Sequence, residues 1–144
     1  MIQTARFNGF AAKLATSFAR QNLMQTIGAE LVQIDVGRVV IAAPILPQMR
    51  QQHGFAHAAL TFALGDSAAG YAALSLMDEQ DEVLTAEMKI NLLAPAAGDR
   101  LIATGTVIRA GRRLSVVSAS VIAVTGTKET EIAILQGTML PVQI

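Results

Sequence analysis

The sequence has no cysteine and no tryptophan among its 144 residues, and only one tyrosine. Without thiols, neither a disulfide framework nor a thiolate zinc site can form, and a reducing compartment is permitted, so the cytoplasm is the expected location. Charge is scarce as well: 11 Lys and Arg balance 11 Asp and Glu. No run of basic residues exceeds two, and the electrostatic footprint of a nucleic-acid binder is therefore missing. The first thirty residues are interrupted by Arg6, Lys13 and Arg20, so they lack the continuous apolar core of a signal peptide.

What is present is apolar bulk. At 52% hydrophobic, the chain has enough material for one compact α+β domain spanning 1–144. Phe7, Phe10, Ala11, Leu14 and Phe18 recur at helical spacing, with Lys13 and Arg20 off that stripe. This predicts an amphipathic helix near 7–24 that ends by Gly28. "AELVQI" and "RVVIAAP" flank "DVG" and read as a hairpin with Asp35 and Gly37 in the turn.

A polar connection, "LPQMRQQHGFA", then leads into "HAALTFALGDSAAGYAALSLM", residues 57–77. Its length, alanine content and lack of a β-branched run predict a helix, apolar on nearly every side and therefore buried. A bilayer span is excluded because Gly and Ala dominate and flanking anchors are absent. Asp66 stands near the middle of this stretch with no cation in it.

"EVLTAEMKINLLAP" alternates, with Leu84, Ala86, Met88, Ile90 and Leu92 on one face and Thr85, Glu87, Lys89 and Asn91 on the other, as in a half-buried strand. Strands near 99–109, 113–124 and 129–141 follow, divided by "AGR" and "TGTK". The order predicts an antiparallel sheet of about six strands wrapped around one long helix, its last four strands forming a meander.

Two blocks of residues resemble a known family. "QQHGFAHAALTFALGDSAAGYAA" and "TAEMKINLLAPAAGDRLIATGTVIRAGRRLSVVSASV" are similar, in that order, to the hotdog-fold acyl-CoA thioesterases of the phenylacetate-degradation (PaaI-like) type. The likeness covers roughly residues 5 to 142. The family pattern has an amide residue, then Gly, then His-Gly-Gly, then an acid nine residues after the His. Here those places hold Gln51, Gly54, His57-Ala58-Ala59 and Asp66.

Thioester hydrolysis requires donors for a developing oxyanion and a carboxylate that attacks or activates water. The resemblance implies the Ala58 amide as oxyanion donor, Gln51 as polariser of the carbonyl, Asp66 as general base or nucleophile, and Thr85 beside the catalytic water. His57 fixes the loop at the helix start. The resemblance also implies that Arg109, Gly111, Arg112 and Arg113 form a turn against the coenzyme A moiety of the substrate. It implies no cofactor and no metal. His53 and His57 are four apart, but Gly54 places His53 in a loop and no Glu follows it as in zinc proteases.

Ala58 and Asp66 are eight residues apart on one helix, about 12 Å along its axis. A reacting carbon must lie near both groups, so if both act they come from different chains. A homodimer is the expected minimal active unit and a homotetramer the expected assembly. Alanines in place of Gly-Gly keep the N–H groups but give up positive φ, which makes the backbone conformation at Ala58 decisive. Two other classes compete with the hydrolase. One is a non-catalytic acyl-CoA binder or sensor on the same fold. The other is a hydratase or dehydratase, which needs a His paired with an acid, and neither His here has one within a few residues.

Overall fold

The computed structural model describes residues 2–144. Its elements run α1 (Phe10–Ala19), α2 (Asn22–Thr26), β1 (Glu30–Asp35), β2 (Arg38–Pro44), α3 (Ala58–Leu74), β3 (Glu82–Leu92), β4 (Arg100–Ala110), β5 (Ser115–Thr125) and β6 (Lys128–Val142). The strands form one antiparallel sheet in the order β1-β2-β4-β5-β6-β3, with α3 lying across its inner face.

The C-terminal half of α3 is buried: Ala68, Ala69, Ala72 and Ala73 are all fully inaccessible, as is Leu64 before them. Helix and sheet approach closely where side chains vanish. A Cβ on Gly105 of β4 would lie 2.2 Å from the backbone of Ala68, and one on Gly65 would lie 2.8 Å from the Leu135 side chain. The hairpin joining β1 to β2 is tied to the end of α3 through Ser75, whose Oγ accepts from the Gly37 N–H (2.7 Å) and donates to the Ala72 carbonyl (2.6 Å). Among the described residues, no helix is long and apolar enough to cross a membrane.

Three expectations are corrected. The helix near 7–24 is two helices: Gln21 adopts an extended conformation between α1 and α2 and turns its side chain inward to the Tyr71 hydroxyl. Gly28 ends the second helix as expected, at φ 67°, with its own N–H on the Gln25 carbonyl and that of Ala29 on the Met24 carbonyl. The meander holds only for β4, β5 and β6, since β3 pairs with β6 at the far edge. The segment 93–99 between β3 and β4 contains Pro95 and is too long for a tight hairpin. It instead crosses the end of the sheet, with the Ala96 carbonyl accepting from Ala56 N–H and that of Asp99 from Ile45 N–H.

The third correction concerns β3. Its register against β6 slips between Thr85 and Glu87, so Ala86 is a bulge and the alternation changes phase there. Thr85 pairs with Met139, Met88 with Gly137 and Ile90 with Leu135, which puts all three on the face toward α3. Thr85 therefore leaves the face shared by Glu87 and Lys89, and Leu84 becomes 51% exposed.

Candidate active site

The polar connection before α3 folds into a small closed loop. The Gln51 N–H reaches the Phe55 carbonyl (2.8 Å), the Gly54 N–H reaches the Gln51 carbonyl (3.0 Å), and Gly54 sits at φ 86°, which glycine adopts without strain. The Gln51 side-chain oxygen accepts from the His53 N–H, which leaves its amide nitrogen free of protein partners among the described residues. The loop closes on the helix start through the His57 N–H, which donates to the Met49 carbonyl (2.8 Å).

His57 is the N-cap of α3, with extended backbone (φ −63°, ψ 142°) and an Nδ1 that accepts the Ala59 N–H at 2.9 Å. Capping takes up the Ala59 donor and leaves the Ala58 N–H exposed with no acceptor among the described residues. No non-glycine residue among those described has positive φ, so Ala58 begins an ordinary helix and carries no left-handed strain. A free, partially positive N–H at a helix start suits an oxyanion.

Asp66 lies two turns further on. It is half-buried and takes part in none of the ion pairs among the described residues. Its one side-chain hydrogen-bond partner among the described residues is Thr85, whose Oγ1 donates to Oδ1 at 2.8 Å. Burial pushes the Asp66 carboxyl above its ordinary value of 3.8, while the Thr85 hydrogen bond favours the carboxylate and opposes that rise. The same Thr85 oxygen lies 3.4 Å from the Met139 sulfur, a weaker and more distant acceptor for its single hydrogen.

Asp66 and Thr85 form part of the wall of a pocket of about 190 Å³, which Ser17 of α1 and Gln21 of the link to α2 complete. Tyr71 also lines it: its hydroxyl accepts from Gln21 Nε2 at 2.7 Å and shares a hydrogen bond with Ser17 Oγ at 3.1 Å. Sequence reasoning missed these three residues. A lone tyrosine inside an apolar helix signals a buried hydroxyl in need of a partner, but the partners lie some fifty residues upstream on another element.

Arg109, Gly111, Arg112 and Arg113 line one exposed hollow of about 290 Å³ at the β4–β5 turn, and none of the three arginines has an acidic partner within ion-pair distance among the described residues. A Cβ on Gly111 would lie 2.6 Å from the Leu114 carbonyl oxygen, so the tight turn excludes a larger residue. A wider hollow of about 590 Å³ lies on the outer face of the sheet among Thr104, Thr106, Ser118 and Ser120, away from Asp66.

The predicted residues thus fall into three groups: Gln51, His57 and Ala58 at the helix start; Asp66 with Thr85 beside the pocket; and the arginine turn. Ala58 and Asp66 remain separated along a single helix, as their spacing requires.

Comparison with known proteins is consistent with this geometry. The family model described as thioesterase superfamily matches residues 53–130, more than half of the chain. A solved structure of a thioesterase family protein from Silicibacter pomeroyi superposes with a TM-score of 0.92 at 41% identity, covering 94% of this chain and 100% of that one. A 1,4-dihydroxy-2-naphthoyl-CoA hydrolase of Listeria monocytogenes is 28% identical over 94 residues, 65% of this chain and 76% of that protein. The E. coli PaaI protein from the phenylacetic acid degradation operon shares the fold, with a TM-score of 0.82 at 23% identity over 92% of this chain and 94% of that one. The chain belongs to the thioesterase superfamily and is a hotdog-fold thioester hydrolase.

Proposed function

We propose that this protein hydrolyses acyl-coenzyme A thioesters at sites shared between two copies of the chain, with no metal or cofactor. The carrying observation is Asp66: a carboxylate in no ion pair among the described residues, half-buried in an apolar helix and oriented by Thr85. A relative named for hydrolysing a naphthoyl-CoA supports a coenzyme A thioester as the substrate class.

What is left uncovered supports the dimer. Ala59, Phe62, Ala63, Asp66 and Ser67 fall at helical spacing and form the open stripe of a helix otherwise buried. On the same side, β3 is an edge strand, with Leu84 51% and Leu92 57% exposed. The helix runs antiparallel to β3, since Gly65 approaches Leu135, the partner of Ile90, whereas Gly70 approaches Val83. Two copies paired antiparallel through the middle of β3 bring the Asp66 end of one helix toward the Ala58 end of the other. Two such dimers make the expected homotetramer, and the cytoplasm is its expected location.

In this arrangement the Ala58 N–H of one subunit, assisted by the Gln51 amide, binds the thioester oxygen. Asp66 of the other subunit takes a proton from water as the water oxygen bonds to the carbonyl carbon, or attacks that carbon itself. Collapse of the tetrahedral intermediate breaks the carbon–sulfur bond, and the thiolate leaves and is protonated. On the direct route, water then hydrolyses the anhydride formed with Asp66. His57 acts by holding the loop and leaving the Ala58 N–H free, and Arg109, Arg112 and Arg113 around Gly111 contact the coenzyme A phosphates.

The test is hydrolysis across an acyl-CoA panel, with the wild type compared to Asp66→Ala and Asp66→Asn. Turnover should fall by about 10²- to 10⁴-fold in both variants. Undiminished turnover in a folded Asp66→Ala protein rules out this assignment.

A further inference from the structure

The pocket beside Asp66 has a far end that the reaction does not use. Seven of its nine lining residues carry a hydroxyl, an amide or a carboxylate, Gly70 and Val83 being the exceptions. A hydrocarbon buried there would leave polar groups unpaired, and that is a penalty sites use to reject a substrate. Size is limiting as well. An enclosed apolar cavity of about 150 Å³ holds one benzene ring, so the roughly 190 Å³ that one chain contributes to this open hollow matches one small ring or a short chain.

The donors at this far end can be counted. Ser17 and Tyr71 each have one hydroxyl hydrogen, and a single hydrogen bond joins the two oxygens. Gln21 Nε2 donates to the Tyr71 oxygen and occupies one of its lone pairs. Whichever hydroxyl donates in the Ser17–Tyr71 bond, the other keeps a hydrogen with no acceptor among the described residues. Both residues line the pocket, and Tyr71 is only 4% exposed, so this donor lies in the pocket wall.

Charge narrows the choice further. Asp66 and Glu82 both line the pocket. The nearby Lys13 ammonium is 3.8 Å from Glu82 but is also held by the carbonyls of Glu79 and Asp81. An acyl group ending in a carboxylate would face two like charges. Tyr71 lies five residues beyond Asp66, about 7.5 Å along the helix axis, the span of a short acyl group.

We propose that Tyr71, with Gln21 and Ser17, selects a compact acyl group bearing a neutral oxygen at its far end, a hydroxyl or a carbonyl. This rests on Asp66 acting at the thioester as described above.

The experiment compares three thioesters of equal length, pentanoyl-CoA, 5-hydroxypentanoyl-CoA and glutaryl-CoA, with palmitoyl-CoA as the long-chain control. The wild type should favour the hydroxylated substrate over each of the others by about ten-fold or more in kcat/KM. In Tyr71→Phe and Gln21→Leu the ratio of hydroxylated to plain pentanoyl substrate should drop toward one. Should Tyr71→Phe fail to fold by circular dichroism, Gln21→Leu and Ser17→Ala decide. A wild-type ratio near one, a ratio unchanged in the folded variants, or a preference for palmitoyl-CoA overturns the selectivity while leaving the hydrolase intact. A wild type that hydrolyses none of the four overturns the functional reading and the selectivity together.

Discussion

Thr85 donates to Asp66 at 2.8 Å, and it reaches that carboxylate because the chain carries one extra residue, Ala86, in the strand beside it. Strict alternation from Met88 and Ile90 would turn Thr85 to the opposite face of the sheet. The bulge is what delivers a hydrogen-bond donor to the half-buried acid.

Removing that donor has a definite effect on pH dependence. Burial raises the Asp66 pKa and Thr85 lowers it, so Thr85→Val leaves burial unopposed and raises it further. The base must be ionised to act, and the acid limb of the kcat profile should therefore move to higher pH in Thr85→Val and stay in place in Thr85→Ser. Activity lost at neutral pH should return as pH rises. Stability has the opposite sign. A carboxyl with a raised folded-state pKa contributes fully below its unfolded value and loses that contribution as pH rises through the folded-state value. Asp66→Asn should accordingly melt at a higher temperature than the wild type at neutral pH, and thermal melts from pH 3 to pH 8 read this directly.

Sharing of sites between subunits is testable by mixing two inactive proteins. Ala58→Pro removes the free N–H at the first helical position, where proline fits and where no protein acceptor is lost. Each mixed dimer of Ala58→Pro with Asp66→Ala contains one site that is intact at both residues. After random subunit exchange, half the dimers are mixed and about one quarter of wild-type activity should appear. If each site is built within one chain, the mixture stays inactive.

The glycines of the core should differ sharply. A methyl on Gly105 runs into the backbone of α3, which cannot give, so Gly105→Ala should cost about 3 kcal/mol or prevent folding. A methyl on Gly70 meets only Met139 and Val83 at 3.9 Å. Gly70→Ala should gain about 1 kcal/mol from helix propensity while narrowing the pocket beside Asp66, so that stability rises as kcat/KM falls. Denaturant titration beside steady-state kinetics separates the two.

Thr61 on α3 is 1% exposed, and its hydroxyl has no hydrogen-bond partner among the described residues. Thr61→Val keeps the shape and removes the unsatisfied group, with an expected gain of about 1 kcal/mol, or about 3 °C in Tm. Differential scanning calorimetry measures it. An unchanged or lower Tm means that the hydroxyl is satisfied in solution.

The sequence alone determined whatever depends on local pattern. The period-two strands, the Ala-rich central helix, the glycine after the second helix and the order of helices and strands are all properties of neighbouring residues. So is the spacing of Ala58 and Asp66, because eight residues of helix impose a distance whatever surrounds them. His57, Ala58 and Asp66 were legible for the same reason: a cap, a free N–H and a misplaced charge declare themselves within one helix. Tertiary structure decided the rest. A one-residue bulge leaves no mark on composition, yet it moved Thr85 to the other face of its strand by shifting a register that only pairing with β6 defines. The seat of β3 at the sheet edge, the difference between Gly70 and Gly105, and the meeting of Ser17 and Gln21 with Tyr71 are contacts between distant segments. Such contacts come from packing the whole core at once, and no local periodicity encodes them.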